Sequence, residues 1–239
     1  MKGNMRNEHY EQIGVAMTCR SYEEYVRMFA LADETLKRGK VLDVAAGASS
    51  FAAEARKRGA DVVCADPKYA QTAEELEANG LREIEESTAK LGRLADRLDW
   101  SYYRSLEQHR AGRIRSLQLF LQDFREQADN GRYLTETLPK LGFADNSFSL
   151  VLCSHFLFLY EEQFDYAFHF AALEELIRVC KPGGEIRIYP LASLRWEPYA
   201  RLDELANHLE SKTGASCEFL LSALPFIPNS ARLLRIRKR

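Results

Sequence analysis

The sequence predicts an α/β domain built on an open, parallel, doubly wound sheet, and three observations predict it. Short apolar runs of strand length recur at KVLDV (40–44), ADVVCADP (60–67), SLVLCSH (149–155) and EIRIYPL (185–191). Amphipathic stretches at helical spacing separate them. Between the first two runs lie a glycine-containing turn and a helix of two or three turns, a βαβ unit, whose strands must run parallel.

The 239 residues suit one core, a single domain over 1–239 with an N-terminal helical segment over 1–39. A net charge of -2 gives no global reason to bind nucleic acid or an anionic membrane, which favours a small-molecule partner. Cys19, Cys64, Cys153, Cys180 and Cys217 are scattered and odd in number, so neither a zinc site nor a disulfide framework is expected. The opening MKGNMRNEHYEQIG lacks the apolar core of a signal peptide, and no run spans a bilayer. A soluble cytoplasmic protein without metal is expected.

In chain order, Ser21 to Glu24 has the form of a capping box, followed by Tyr22, Tyr25, Phe29 and Leu31 at roughly helical spacing. Phe51 to Arg58 reads as a helix closed by Gly59. No strand pattern appears from 68 to 131, where TAEELEANGLREIEESTAKLGRLADRL and RIRSLQLFLQDFREQ give two or three helices. One crossover helix needs fewer residues, so this is an insertion over the sheet rim. Its basic cluster, His109, Arg110, Arg113 and Arg115, reads as a solvated face in preference to an anion site. Tyr133 to Thr137 is a strand, FADNSF a turn, and Asp165 caps a helix with Leu173, Leu176, Ile177 and Cys180 on its inner face. KPGG makes a tight turn before EIRIYPL; a helix from Leu202 to Lys212 and strands near CEFLL and ARLLRIRK complete the chain.

In such a sheet, ligands bind beyond the carboxyl ends of the strands, which directs attention to VLDVAAGASS and CADP. Gly47 admits close backbone approach, Ser49 or Ser50 can cap the next helix, and Asp43 is placed for an ammonium group. Asp66 is placed for both hydroxyls of a ribose. A nicotinamide site wants GxGxxG beneath its pyrophosphate, and AAGASSF cannot be aligned to that.

VLDVAAGASSF, VVCADP, GFADNSFSLVLCSH and ELIRVCKPGGEIRIY, in that order, resemble the successive motifs of the class I S-adenosylmethionine-dependent methyltransferases, a Rossmann-like superfamily. The resemblance covers 40–67 and 133–237. It implies a seven-stranded sheet with only the last strand antiparallel, and S-adenosyl-L-methionine as cofactor. It also implies that Asp43 acts on the methionine ammonium, that the backbone of Val44, Ala45, Ala46 and Gly47 lines methionine and ribose, that Asp66 holds the ribose and that Pro67 flanks the adenine. Glu136 or Thr137, with Leu138, would meet the adenine edge, and Ser154 and His155 would face the sulfonium and the acceptor. Ala45 and Ser49 stand where the family usually has glycine, and Ser149 where it usually has Asp. A catalytically silent scaffold of the same fold is the alternative.

Methyl transfer from a sulfonium needs alignment rather than a metal or a covalent nucleophile, and a base only for some acceptors. His155 is the candidate base, or its ring only packs; His169 reads as structural, and His9, His109 and His208 lack chemical context. Cys153 and His155 share a strand face and form a possible pair, with a buried core thiol as the plainer reading. FLFLY (156–160) with Tyr22, Tyr25, Met28 and Phe29 walls an apolar acceptor pocket or simply fills the core.

Overall fold

The computed structural model describes residues 10, 12 and 14–239; the first nine residues, His9 among them, lie outside it. Seven strands form one sheet: β1 Val41–Val44, β2 Val62–Ala65, β3 Tyr133–Leu134, β4 Phe148–Ser154, β5 Cys180–Tyr189, β6 Ser216–Leu221 and β7 Arg232–Arg237. Their spatial order is β3-β2-β1-β4-β5-β7-β6, and β7 alone runs antiparallel to its two neighbours. The chain therefore has the doubly wound, Rossmann-like sheet that the motifs imply. β3 is shorter than the sequence suggested, because after Leu134 the backbone turns back on itself, with the Glu136 amide donating to the Leu134 carbonyl.

Among the described residues seven helices flank the sheet: α1 Tyr22–Met28, α2 Asp33–Leu36, α3 Phe51–Lys57, α4 Ala73–Arg93, α5 Leu106–Gln127, α6 Tyr166–Val179 and α7 Leu202–Thr213. Strand alternation sorts the core into two halves. Val41, Val62, Cys64 and Leu152 join α1, α3, α4 and α5 on one face, while Leu42, Val44, Val63 and Val151 join α6 and α7 on the other. Local chemistry starts most of the longer helices. Ser21 and Glu24 close a full capping box on α1, Thr72 and Glu75 do so on α4, Ser105 caps α5 and Asp165 caps α6.

The stretch between β2 and β3 folds as the hairpin of α4 and α5. Gly80 lets the two helices approach: a Cβ there would lie 2.7 Å from Leu117 Cδ1. α5 also packs down onto the sheet, where Phe120 and Phe124 meet Tyr69 and the strand residue Tyr133. KPGG is absorbed into β5 at an irregularity in its pairing with β4, not a free turn. Among the described residues no helix is long and apolar enough to cross a membrane.

Candidate functional site

The loop after β1 combines two left-handed residues, Ala45 at φ +54 and Gly47 at φ +55. For alanine that conformation costs on the order of 1 kcal/mol, which is why glycine is the common choice there; Ala45 bears the strain with its amide bonded to the Ala65 carbonyl at 2.8 Å. Ser49 has a positive role. Its hydroxyl accepts from the Phe51 amide, the first of α3, at 3.1 Å and donates to the Arg20 carbonyl at 2.8 Å. Ser50 instead donates its hydroxyl to Glu54 and its amide to Arg20 and to Ser116 Oγ.

Residues 17–20 thus form a strap across this loop. The Ala48 amide donates to the Thr18 carbonyl at 3.2 Å, and a Cβ on Gly47 would lie 3.1 Å from that oxygen and 3.2 Å from the Thr18 nitrogen. Glycine is required there by close approach as well as by φ.

Two carboxylates stand beside the loop. Asp43 is wholly buried; the Tyr25 hydroxyl donates to its Oδ1 at 3.3 Å, and its Oδ2 has no partner among the described residues. Burial pushes its carboxyl well above the usual range, the Tyr25 hydrogen bond opposes that, and the neighbouring Asp66 adds to it. Asp66, also buried, accepts from the amides of Gly47 at 3.0 Å and Lys68 at 2.9 Å. Burial raises it too, against those amides. An ionised carboxylate offers about four acceptor positions, so Asp66 has capacity left. The Tyr69 hydroxyl donates to the Gly47 carbonyl at 2.8 Å and closes the other side.

Val44 and Ala46 are buried, Ala45 is half-buried, and Pro67 is exposed at the start of a short helical turn. Glu136 Oε2 accepts from the Gly142 amide at 2.8 Å, Thr137 is exposed and Leu138 is buried in the α6–α7 core. Ser154 Oγ lies 2.9 Å from His155 Nδ1, and the His155 amide donates to the Tyr189 carbonyl at 2.6 Å. Burial, then the charges of Arg20 and Arg113, hold the His155 imidazole well below its ordinary pKa. It is neutral, able to accept a proton and unable to supply one. Cys153 and His155 do not pair: His155 leaves the strand at φ +51, which voids the two-residue rule, and Cys153 sits in the α6–α7 core with its thiol pushed up to about 12 by burial. His169 is structural, bonded to the Leu157 carbonyl and near the Tyr199 hydroxyl.

The basic cluster on α5 is not a solvated face. Arg110 is half-buried and paired with Glu85, and Arg115 is exposed, but His109 and Arg113 are buried. Arg113 Nη1 lies 2.7 Å from both oxygens of Glu24 and 3.0 Å from the Cys19 carbonyl. Burial works to raise the Glu24 carboxyl, but Arg113 and Arg20 bring it down to about 2. His109, pushed to about 2 by burial and Arg113, is neutral.

Between the strap, the α4–α5 hairpin and the ends of β4 and β5 lies a cavity of ≈ 120 Å³. Met28, Leu159 and Tyr160 line it as the aromatic-run reading proposed, together with Trp196, Leu224 and Phe226. Tyr22, Tyr25 and Phe29 are core instead: Tyr25 stacks on Phe51 at 4.5 Å. Phe158 packs with His169 and Tyr199 on the opposite core. Arg20, Arg113, His109 and His155 supply the polar part of the lining. Sequence reasoning missed the strap and Arg20, since residues 14–20 carry no periodicity; it saw Glu24 only as a cap. Among the described residues no group of three or more His, Cys, Asp or Glu is placed to hold a metal.

A family model described as "Methyltransferase domain" matches residues 113–188. An uncharacterized protein of Methanocaldococcus jannaschii, MJ0045, is 34% identical over 194 residues, covering 81% of this chain and 85% of that protein. Among solved structures, the PH0226 protein of Pyrococcus horikoshii is 17% identical, with a TM-score of 0.47, over 91% of this chain and 90% of that one. A TehB-like SAM-dependent methyltransferase of Corynebacterium glutamicum is 12% identical, with a TM-score of 0.44, over 87% of this chain and 86% of that one.

Proposed function

We propose that this chain, which belongs to the class I S-adenosylmethionine-dependent methyltransferases, binds S-adenosyl-L-methionine along Asp43–Gly47 and Asp66 and methylates a small molecule held in the adjoining cavity. The observation that carries the proposal is Asp43 Oδ2, a buried carboxylate oxygen without a partner at the end of β1, with Asp66 at the end of β2 beside it. Burial disfavours the charged form of an unpaired carboxyl, and a cationic ammonium is the complement that favours it.

The residues fit the cofactor. Asp43 would take the ammonium, the free acceptor positions of Asp66 the ribose hydroxyls, and the backbone of Val44, Ala45, Ala46 and Gly47 the body of the molecule. Pro67 and the 136–138 turn, Glu136 to Leu138, would border the adenine. When bound, the cofactor supplies an activated methyl group on sulfur. The protein's part is alignment and exclusion of water, and a position that keeps donor and acceptor in contact can supply much of the acceleration. His155, oriented by Ser154 through Nδ1, would receive the acceptor's proton at Nε2. A net charge of -2 favours a small acceptor over nucleic acid.

Calorimetric titration with S-adenosylhomocysteine, with NADH as control, tests the reading. Saturable binding of the first alone is expected, and Asp66→Ala should weaken it at least tenfold while the protein stays folded, at a lower thermal midpoint because the amides of Gly47 and Lys68 lose their acceptor. Wild-type protein that binds neither compound points to a scaffold that keeps only the fold.

A further inference from the structure

The cavity of ≈ 120 Å³ has the size of one ring: an apolar cavity of about 150 Å³ holds benzene, whereas drug-sized ligands need about 300 Å³ or more. Its walls are mostly apolar, with Met28, Trp196, Leu224 and Phe226 among them. Into this lining the strap brings Arg20, whose Nε is buried and has no partner among the described residues. Arg20 touches Glu24 only at 3.3 Å, while Arg113 holds that carboxylate at 2.7 Å through both oxygens. Two guanidiniums therefore share one close carboxylate. Glu83 also lines the cavity and acts on Tyr10 and Tyr160, but the charges that bear on His155 are those of Arg20 and Arg113.

We propose that the acceptor is a ring-sized, largely apolar molecule with one acidic hydroxyl, of the phenol or enol class, bound as its anion with the oxygen between Arg20 Nε and His155. The inference rests on the methyltransferase reading and deepens it. A neutral imidazole of low basicity is a weak base, suited to an acidic O–H and unsuited to an aliphatic alcohol. The guanidinium charge that disfavours a proton on His155 favours the loss of one from the acceptor. The acceptor gives up its proton on binding, through His155 Nε2 to water; in the transfer the anion's oxygen electron pair then forms the O–CH3 bond as the C–S bond breaks, and sulfur keeps the pair of that bond.

Ultraviolet difference titration of the full chain with phenol, followed through the phenolate band in the presence and absence of S-adenosylhomocysteine, tests this, with toluene as the neutral isostere in calorimetry. Phenolate should bind at least tenfold more tightly than phenol, which lowers the apparent pKa of bound phenol by at least one unit. Arg20→Met should abolish that preference and leave toluene binding intact. Because Arg20→Met also removes a partner of Glu24, Leu194→Trp, at the half-buried cavity edge, provides a second check and should block both ligands. Equal affinity for phenol and toluene, or no binding of phenol while S-adenosylhomocysteine binds, overturns the acceptor class and leaves the methyltransferase reading standing. Failure of S-adenosylhomocysteine to bind overturns both.

Discussion

The buried Asp43 carboxyl opposes stability. Its folded pKa is raised above the value of an exposed carboxyl, so its contribution to stability is fully present below the unfolded pKa, near 3.8, and is lost as pH rises through the folded pKa. At neutral pH the side chain is a liability, and Asp43→Asn, which keeps the shape and the Tyr25 hydrogen bond, should stabilise the free protein by about 1–2 kcal/mol, or roughly 2–8 °C in thermal midpoint. The same change should weaken S-adenosylhomocysteine at least tenfold. A lower melting temperature for the variant contradicts the view that its burial is uncompensated. Asp43 and Asp66 were legible in the sequence because an acid inside or just after an apolar run needs a reason. Arg20 was not, because nothing in its neighbourhood marks it as buried.

At the level of elements, the α4–α5 hairpin is held to the N-terminal helix by the Glu24–Arg113 pair, with the Tyr103 hydroxyl also donating to Glu24. Removing one member leaves the other charged and buried, so Glu24→Ala or Arg113→Ala should each cost about 3–5 kcal/mol in chemical denaturation. With a folded pKa of about 2 against a usual 4.5, Glu24 stabilises fully above pH 4.5, and that contribution is lost as pH falls toward 2. An acid titration of stability in which Glu24→Gln has the same slope as wild type over that window argues against the assignment. Reading this part of α5 as solvated took the composition of four residues for their placement. His109, Arg113, Ser116, Leu117, Phe120, Leu121 and Phe124 recur on one helical face, and that periodicity, which outweighs charge, was present in the sequence. The depth to which Arg113 is buried was not, since its partner lies 89 residues away.

For the whole molecule, the doubly wound sheet was the most legible part, because strand length, turn residues and order agree at every level. The strap was illegible because its backbone bonds depend on where α3 and α5 come to lie. Any ligand that approaches Gly47 from the side of Thr18 must displace it. The amides of Ala48 and Ser50, which donate to the strap, should accordingly exchange with solvent through a local opening, faster than those of Leu42 or Val151 in the central strands. Exchange of all four at one common rate argues that strap and sheet open only together. The Arg20 carbonyl receives the Ser50 amide and the hydroxyls of Ser49 and Ser116, so one oxygen joins the strap to both α3 and α5. A shift of that atom frees donors on two helices at once, and each loss makes the next easier. Access to the loop is therefore a cooperative, all-or-none event, more a latch than a hinge.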